Sequence, residues 1–546
     1  MEPGELLFGP ATDPSQVSAA LSAHYRVRVE RVGAQRWTCL DTADWRLHRA
    51  GMTLRDARRA RRRELLLTVR GDRAISAAAA RVRWPGSVAS LPSSPVRERI
   101  ERPVGMRALL PLAEVDVQSL GFGLLDDDEK TRVRVRVDQQ RLAGDRAAAL
   151  PLRVVITPVR GYERDGRRCA AMLDDAMRTM GDVDTAATAA MVAAGHRPGE
   201  PMVAALTLNP AASARASLAA VLRRWSDVID ANRAGVLDDI DIEYLHELRT
   251  AVRGTRSLLS LVPDLFSAEQ VQGAAREFAW LGRLTTPLRD LDVTMRELAA
   301  DLARDPDLEP LRAYFAALRR RALQDVRAGL QSPRGVSLTA SWRVALDRVA
   351  RDEASGGGMT GVDVSGDDVP SNDVSGDDVS AHEVSSARTR RVAGELAIAA
   401  YRAIVKSAAT VSAQTPADEL HRLRRRCKRM RYLLDGYASV YPRESHREVL
   451  GALTALQDCL GDIQDVDVRR QQLTVAASAL ADGRLARTAA RPAEALLAMG
   501  AVRERRLMID GAARRSLVKR LARFRGAAIQ QCIGELAGAP RSGAPA

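Results

Sequence analysis

LHELRTAVRGTRSLL at residues 245–259 recurs as LHRLRRRCKRMRYLL at residues 420–434, an interval of 175 residues. Seven of the fifteen positions are identical, and an eighth keeps a positive charge as Arg253 or Lys428. The same interval relates three further pairs: Arg215 and Arg390, Asp290 and Asp465, and Asp292 and Asp467. An ungapped recurrence of this kind indicates that the second half of the chain contains two copies of one unit.

The spacing within each copy predicts a helix with one positively charged side. His, Arg, Arg or Lys, and Arg occupy positions i, i+3, i+7 and i+10, which fall within an arc of about 80° at 100° per residue. We call these positions the basic ridge: His246, Arg249, Arg253 and Arg256 in the first copy, and His421, Arg424, Lys428 and Arg431 in the second. Leucine and valine line the adjacent stripe, so each helix also has a flank suited to a core.

Charged residues on a helix usually form a solvated face, and that interpretation stays open for either copy alone. Recurrence of the same ridge in both copies favours a shared anion-binding surface, to which we add Arg215 and Arg390. The four aspartates allow metal ligation, but their Arg-rich surroundings favour orienting salt bridges. Because no Ser or Cys recurs beside the histidines, nucleophilic catalysis is not predicted.

Composition describes a largely globular, basic chain. The 546 residues include 83 Lys or Arg and 69 Asp or Glu, a net charge of +14. Residues 352–387 differ from the rest, because they contain nine acidic residues, no Lys or Arg, and a repeated Val-Ser-Gly-Asp-Asp. This composition predicts a disordered acidic linker.

Several protein classes are excluded by what the sequence lacks. It has no apolar run long enough for a transmembrane helix, and its start lacks the features of a signal peptide. Five scattered cysteines form no CxxC pair, and seven histidines form no zinc motif. We therefore expect a cytoplasmic protein without metal or other cofactor, and no membrane partner.

The chain divides by its patterns into an α+β arrangement of several domains. Residues 25–30, 65–70, 131–137 and 152–157 have the character of strands, whereas long Ala, Leu and Arg periodicities after about residue 210 predict helices. The predicted divisions are an N-terminal domain at 1–184, a connector at 185–210, helical repeats at 211–351 and 388–535 around the linker at 352–387, and a disordered tail at 536–546.

The ridge, followed by Arg289-Asp-Leu-Asp292 in the first copy and Asp462-Ile-Gln-Asp465 in the second, resembles the CHAD domain, the conserved histidine α-helical domain. The likeness spans about residues 211–535. It implies two pseudo-symmetric four-helix units, a basic surface that binds inorganic polyphosphate, and association with polyphosphate granules. Thr285-Thr286-Pro287 stands where the family has a small, Gly-containing turn, so we expect an altered loop there.

The N-terminal region more faintly resembles the CYTH domain, an antiparallel barrel whose tunnel binds triphosphate. The likeness rests on residues 40–55 and on the basic strand at 131–137. The family's Glu-x-Glu-x-Lys signature is not intact, because Glu2 and Glu5 are three residues apart with no following Lys. The late strand at 153–157 also lacks an acidic pair.

A metal-assisted phosphoryl hydrolase needs convergent carboxylates, so we expect an inactive tunnel. Glu98 and Glu101, in an expected strand, stay open as part of an unusual metal site. Glu114 and Asp116 alternate suitably, but an expected turn at 121–123 follows them.

Three functions remain in competition. The first is binding of inorganic polyphosphate by the basic ridges. The second is a CYTH-type triphosphatase, which the missing signature disfavours. The third is nucleic-acid binding, which the scarcity of aromatic residues near the ridges disfavours because bases need stacking partners. The sequence leaves the oligomeric state undetermined.

Overall fold

The structure, a computed structural model, describes residues 4–59, 62–70, 75–78, 82–144, 148–180, 186–261, 268–356, 389–482 and 492–538. The chain forms two compact units, Met1–Ala204 and Ala205–Ala546. Most of the predicted acidic linker, from residue 357 onward, lies outside the described residues, as does the predicted tail from residue 539. The first part of the linker, 352–356, instead continues a helix that begins at Pro333.

Nine antiparallel strands form the sheet of the first unit. They are β1 (Glu5–Phe8), β2 (Arg26–Asp41), β3 (Met52–Arg59), β4 (Arg62–Val69), β5 (Ile75–Ala78), β6 (Gly86–Ser87), β7 (Ala108–Leu125), β8 (Thr131–Leu142) and β9 (Leu152–Pro158). Their order is β1-β9-β8-β7-β2-β3-β4-β5, and β6 pairs with β7. The four strands predicted from β-branched runs are confirmed as β2, β4, β8 and β9.

The expected barrel is wrong, because the sheet is open. Within the described residues β1 and β5 are the two edges and do not pair with each other. Helices cover both faces instead, which buries the apolar surface without closure. Two of them, α1 (Pro14–His24) and α4 (Glu163–Met177), pack against alternate residues of β8 and β9, while α5 (Ala186–Ala193) packs on the opposite face.

Two local expectations in this unit are also wrong. Glu98 and Glu101 lie on a helix, α3 (Pro95–Val104), because Ser94 caps its start and Pro95 occupies its first turn. Val96, Ile100 and Val104 recur at helical spacing on its buried side. The expected turn at 121–123 is strand, since β7 there pairs with β2 on one side and β8 on the other.

The segment interpreted as a connector, 185–210, contains helix α5. Ala187, Ala190 and Met191 of this helix are buried against Trp37 and Val115 of the sheet. The Ala186 amide donates to the Glu5 carboxylate at 3.3 Å. Helix α5 is therefore an integral part of the first unit.

The first unit also contains a short helix, α2 (Arg46–Arg49). In the described part of the second unit there are ten further α-helices. The first set contains α6 (Ala214–Leu237), α7 (Ile242–Leu261), α8 (Ala268–Leu302), α9 (Glu309–Gln331) and α10 (Pro333–Gly356). The second contains α11 (Thr389–Ala408), α12 (Ala417–Gly436), α13 (Arg443–Ala481), α14 (Pro492–Phe524) and α15 (Ala527–Leu536). Each copy thus has five helices among the described residues rather than the expected four, because α9 ends at Gln331 and α14 at Phe524 and a further helix follows each.

The two sets are related by the interval found in the sequence. Helices α7 and α12 are offset by 175 residues at both ends. Equivalent residues also meet across the junction between the copies. The Arg469 guanidinium donates to the Thr294 carbonyl at 3.2 Å, and Leu298 and Leu473 lie in one buried cluster. Contact between equivalent positions is the signature of a pseudo-two-fold arrangement.

Candidate anion-binding groove

A groove of about 580 Å³ lies between α7 and α12. Its lining comprises Arg253, Arg256, Ser257, Ser260, Ala275, Arg422, Arg425, Arg426, Lys428, Arg429 and Tyr432. Seven of these eleven residues are Arg or Lys, and none is acidic. Three of the seven, Arg253, Arg256 and Lys428, belong to the predicted basic ridges, so side chains from both copies face one cavity.

Packing against α6 fixes the position of α7. Leu245, Leu248 and Val252 are buried along one side of α7. Gly254 allows the helices to approach closely, since a Cβ there would lie 2.6 Å from the Trp225 ring. The apolar stripe predicted from the sequence therefore turns the ridge away from the core.

Arg253 connects the two copies at the groove. Its Nε donates to the Tyr432 hydroxyl of α12 at 2.8 Å, and its Nη2 donates to Thr250 at 3.2 Å. The Tyr432 ring is buried and meets Trp225 edge-on at 6.3 Å. The guanidinium is thus held in place without a carboxylate partner.

Arg249 anchors α7 to α8 rather than lining the groove. Its Nη1 donates to the Gly282 carbonyl at 3.0 Å and to the hydroxyls of Thr285 and Thr286 at 2.7 and 3.1 Å. Burial lowers the pKa of Arg249 to about 10, and the nearby Arg253 charge acts in the same direction. This arginine contributes positive potential while its Nη1 is engaged by α8, and its buried Nε has no hydrogen-bond partner among the described residues.

Arg424 occupies the equivalent place in the second copy. Its Nη1 lies 3.8 Å from Asp465, and a Cβ at Gly461 would lie 3.4 Å from its Nη2. Gly461 and Thr286 are themselves related by the 175-residue interval. Each copy therefore places this arginine against the same turn of its long helix.

The expected loop at Thr285-Thr286-Pro287 does not form, because α8 is continuous through Pro287. The Thr285 hydroxyl donates to the Leu281 carbonyl at 2.8 Å, and the Thr286 hydroxyl donates to Gly282 at 2.7 Å. The second copy is also helical here, within α13. Arg289-Asp290 and the equivalent Gln464-Asp465 consequently both lie inside a helix.

Lys428 is the one lysine in the groove lining. Burial, together with the charges of Arg424 and Arg253, lowers its pKa to about 7, and the Asp465 charge opposes this shift. The side chain is partly buried. No carboxylate lies within ion-pair distance of its amine among the described residues.

Four of the lining arginines were missed by sequence reasoning. Arg422, Arg425, Arg426 and Arg429 form a second stripe on α12, at helical spacing. The first copy has Glu, Thr, Ala and Gly at the equivalent positions, so a search for recurrence passes over them. Arg425, Arg426 and Arg429 are exposed and have no ion-pair partner in the described parts of the chain.

Other ridge residues lie outside the lining. His421 is hydrogen-bonded to Gln464 in a separate cavity of about 290 Å³ that also contains Asp418 and Asp467. Arg431 pairs with Asp435 of its own helix at 3.5 Å. The remaining predicted residues are also outside it: His246 on α7, Arg215 at the start of α6 and Arg390 at the start of α11.

The four predicted aspartates have different partners. Asp292 is buried and accepts from Arg319 of α9 at 2.7 Å, and Asp467 lies 3.5 Å from Arg470. Asp465 lies near Arg424, as described above. Burial raises the pKa of Asp290, and the nearby Asp465 charge acts in the same direction. The Arg249 charge opposes this rise without cancelling it.

A cluster of charged residues lies on the sheet face that α5 covers in the first unit. Asp138 of β8 accepts from Ser119, Arg136 and Arg153 at 2.6, 3.0 and 2.9 Å. Arg153 also donates to Glu5 at 2.9 Å. The sequence repeat does not include Asp138 or its partners, so it could not identify them. The alternation of side chains along a strand was the one signal that placed Asp138 on the same face as Arg136.

No metal or membrane site emerges from this geometry. In the described ranges, no three His, Cys, Asp or Glu side chains are grouped so as to hold a metal ion. Among the helices that the structure describes, none combines the length and apolar character needed to cross a bilayer.

One known protein family matches part of the helical unit. Residues 219–474 match the sequence profile of the CHAD domain. No curated protein matches the chain.

Three solved structures are similar to parts of the chain. The CHAD domain from the plant Ricinus communis has 22% identity and a TM-score of 0.45, covering 58% of this chain and 95% of that one. PptA from Streptomyces chartreusis has 16% identity and a TM-score of 0.38, covering 57% and 99%. A putative adenylate cyclase from Bacillus halodurans has 10% identity and a TM-score of 0.25, covering 34% and 94%.

For the helical unit, the duplicated ridge, the pseudo-two-fold contacts and the sequence profile agree, and the chain contains a CHAD domain at residues 219–474.

Proposed function

We propose that the CHAD domain binds inorganic polyphosphate in the groove between α7 and α12. The observation that carries this proposal is the lining itself: seven cationic side chains from two helices, without an acidic residue. A lining of one charge sign focuses its field into the cavity and attracts a polyanion.

The side-chain chemistry fits phosphate. Arginine presents planar donors that match two phosphate oxygens at once, and lysine acts as a point charge. Arg425, Arg426 and Arg429 are exposed and unpaired among the described residues, so binding does not require them to break an ion pair. A linear chain of phosphates extends such contacts along both helices.

Nucleic acid fits this groove less well. Tyr432 is the one aromatic residue in the lining, its ring is buried, and its hydroxyl accepts from Arg253. Bases bound as single strands gain much of their affinity by stacking on exposed rings. The groove lining therefore offers contacts to phosphate groups but no exposed ring on which a base could stack.

The sheet unit is not proposed as a triphosphatase. Glu5 and Asp138 are engaged by Arg153, and helix α5 packs on the same face. Metal-assisted phosphoryl transfer needs carboxylates free to hold a divalent ion.

We further propose that the protein is cytoplasmic and associated with polyphosphate granules. Its five free cysteines accord with the reducing cytoplasm.

Competition between polyanions tests the proposal. Labelled long-chain polyphosphate is bound to the full chain, and unlabelled polyphosphate or single-stranded DNA of equal total charge is added. We expect polyphosphate to displace the label at much lower concentration than DNA. Equal displacement by both would support a nonspecific basic surface and contradict the proposal.

A further inference from the structure

Lys428 differs chemically from every other cation in the groove. The other six cationic lining residues are arginines, whose charge does not change in the physiological range. Lysine loses its charge readily when buried. The equivalent position of the first copy holds Arg253, so the two halves of the groove differ at this point.

Fixed positive charges surround the Lys428 amine. Arg253 of α7 lines the same cavity as Lys428, and the charges of Arg253 and Arg249 both lower the pKa of the amine. Hydrogen bonds to Gly282, Thr285 and Tyr432 hold these two guanidinium groups in place. From its own helix Lys428 faces Arg424.

Few negative charges offset these cations. The carboxylate of Asp465 on α13 raises the pKa of Lys428, and it lies 3.8 Å from Arg424. Two further carboxylates act indirectly. Asp462 of α13 raises the pKa of Asp465, and Asp290 of α8 raises the pKa of Arg249. The exposed groove arginines, Arg256, Arg422, Arg425, Arg426 and Arg429, add further positive potential from both helices.

We propose that binding of a phosphate chain in the groove is coupled to uptake of a proton by Lys428, so that affinity falls as the pH rises above neutrality. This inference rests on the proposed function and adds regulation to the same site. A phosphate group supplies the negative charge that the empty groove lacks, and it therefore stabilises the ammonium form.

The sign follows from the charges. Below pH 7 the amine is already protonated in the empty groove, so binding takes up no proton there. Above pH 7 the empty groove holds a neutral amine, and binding must protonate it. A linkage of one proton lowers affinity by at most about tenfold per pH unit.

Isothermal titration calorimetry of the full chain measures this coupling. Long-chain polyphosphate is the probe, because its few terminal phosphates contribute little to the proton balance. Titrations at pH 6 and pH 8.5, each in two buffers of different ionisation enthalpy, give the number of protons taken up. We expect about one proton per groove at pH 8.5 and nearly none at pH 6.

Two variants assign the proton to Lys428. Lys428→Arg keeps a permanent charge, so binding should persist with no uptake at pH 8.5 and a flatter pH profile. Lys519→Arg changes an exposed lysine of α14 and should behave like the unchanged chain. His421→Gln tests whether the imidazole in the separate cavity is the source, and we expect it to leave the uptake unchanged.

The outcomes separate this inference from the function on which it rests. Absence of binding at pH 6 by the folded chain would contradict the proposed function itself. Binding at both pH values without proton uptake, or uptake that persists in Lys428→Arg, would overturn the coupling alone.

Discussion

Arg249 and Arg256 belong to the same predicted ridge, but their surroundings give them different roles. The Nη1 group of Arg249 donates to the α8 backbone and to two threonine hydroxyls, whereas Arg256 is exposed in the groove. A charged group that already has buried partners gains little from a ligand. Burial and partners, rather than position in the ridge, therefore identify the residues that meet an anion.

Replacing Arg425, Arg426 and Arg429 together with alanine should strongly weaken polyphosphate binding and leave stability nearly unchanged. The three side chains line the groove, are exposed, and have no ion-pair partner among the described residues. Exposed substitutions of this kind change stability by about 0.5 kcal/mol or less. Binding titration and thermal unfolding of the same samples provide the measurement.

A matched control removes three arginines elsewhere in the same unit. Arg320 and Arg321 of α9 and Arg402 of α11 are also exposed, and their replacement removes the same charge. If the control variant loses as much affinity as the groove variant, net charge rather than the groove accounts for binding.

At the scale of elements, the groove depends on how closely α7 approaches α6. Gly254→Ala places a methyl group 2.6 Å from the Trp225 ring and should destabilise the fold by about 1–3 kcal/mol. Gly451→Ala is the control, because no atom lies within 4 Å of its Cβ position on α13. That change should stabilise by about 0.5–1 kcal/mol through helix propensity. Urea unfolding measures both, and equal effects would show that the close contact does not matter.

Helical spacing and recurrence were sufficient to predict α7 and α12, and three of the eight ridge residues, Arg253, Arg256 and Lys428, line the groove. They did not predict α8 through Pro287, because proline in a helix interior normally breaks it and sequence alone does not reveal the packing that tolerates it. The stripe from Arg422 to Arg429 was missed for another reason. It occurs in one copy only, and recurrence was the criterion for selecting residues.

At the scale of the whole molecule, the Asp138 and Glu5 carboxylates of the sheet unit are bound by arginines of the same unit. The strands and their alternation were predictable, but the open edges and the helix on that face were not, since short Ala-rich α5 has no distinctive pattern. Asp138 and Glu5 accept from arginines rather than converging on an empty cavity. Buried charges that pair with one another form an ion network without a ligand. A metal site instead needs carboxylate oxygens that are free to coordinate the ion.

The intact chain should therefore release no phosphate above background from tripolyphosphate or ATP with magnesium or manganese. The physical reason is that the Asp138 and Glu5 carboxylates are already bound by Arg153 and are not free to hold a metal ion. Phosphate release over time is the measurement. Turnover that disappears in Asp138→Asn or Glu5→Gln would contradict this account and favour the triphosphatase, whereas Glu98→Gln, on the exposed side of α3, serves as the control.

The most direct test of the central claim is a binding titration of the full chain with polyphosphates of graded length at about 50 mM and about 200 mM salt. We predict saturable binding that strengthens with chain length until the groove is filled, and that weakens steeply at the higher salt because ion release drives it. No saturable binding of any chain length by the folded protein at the lower salt would contradict the account.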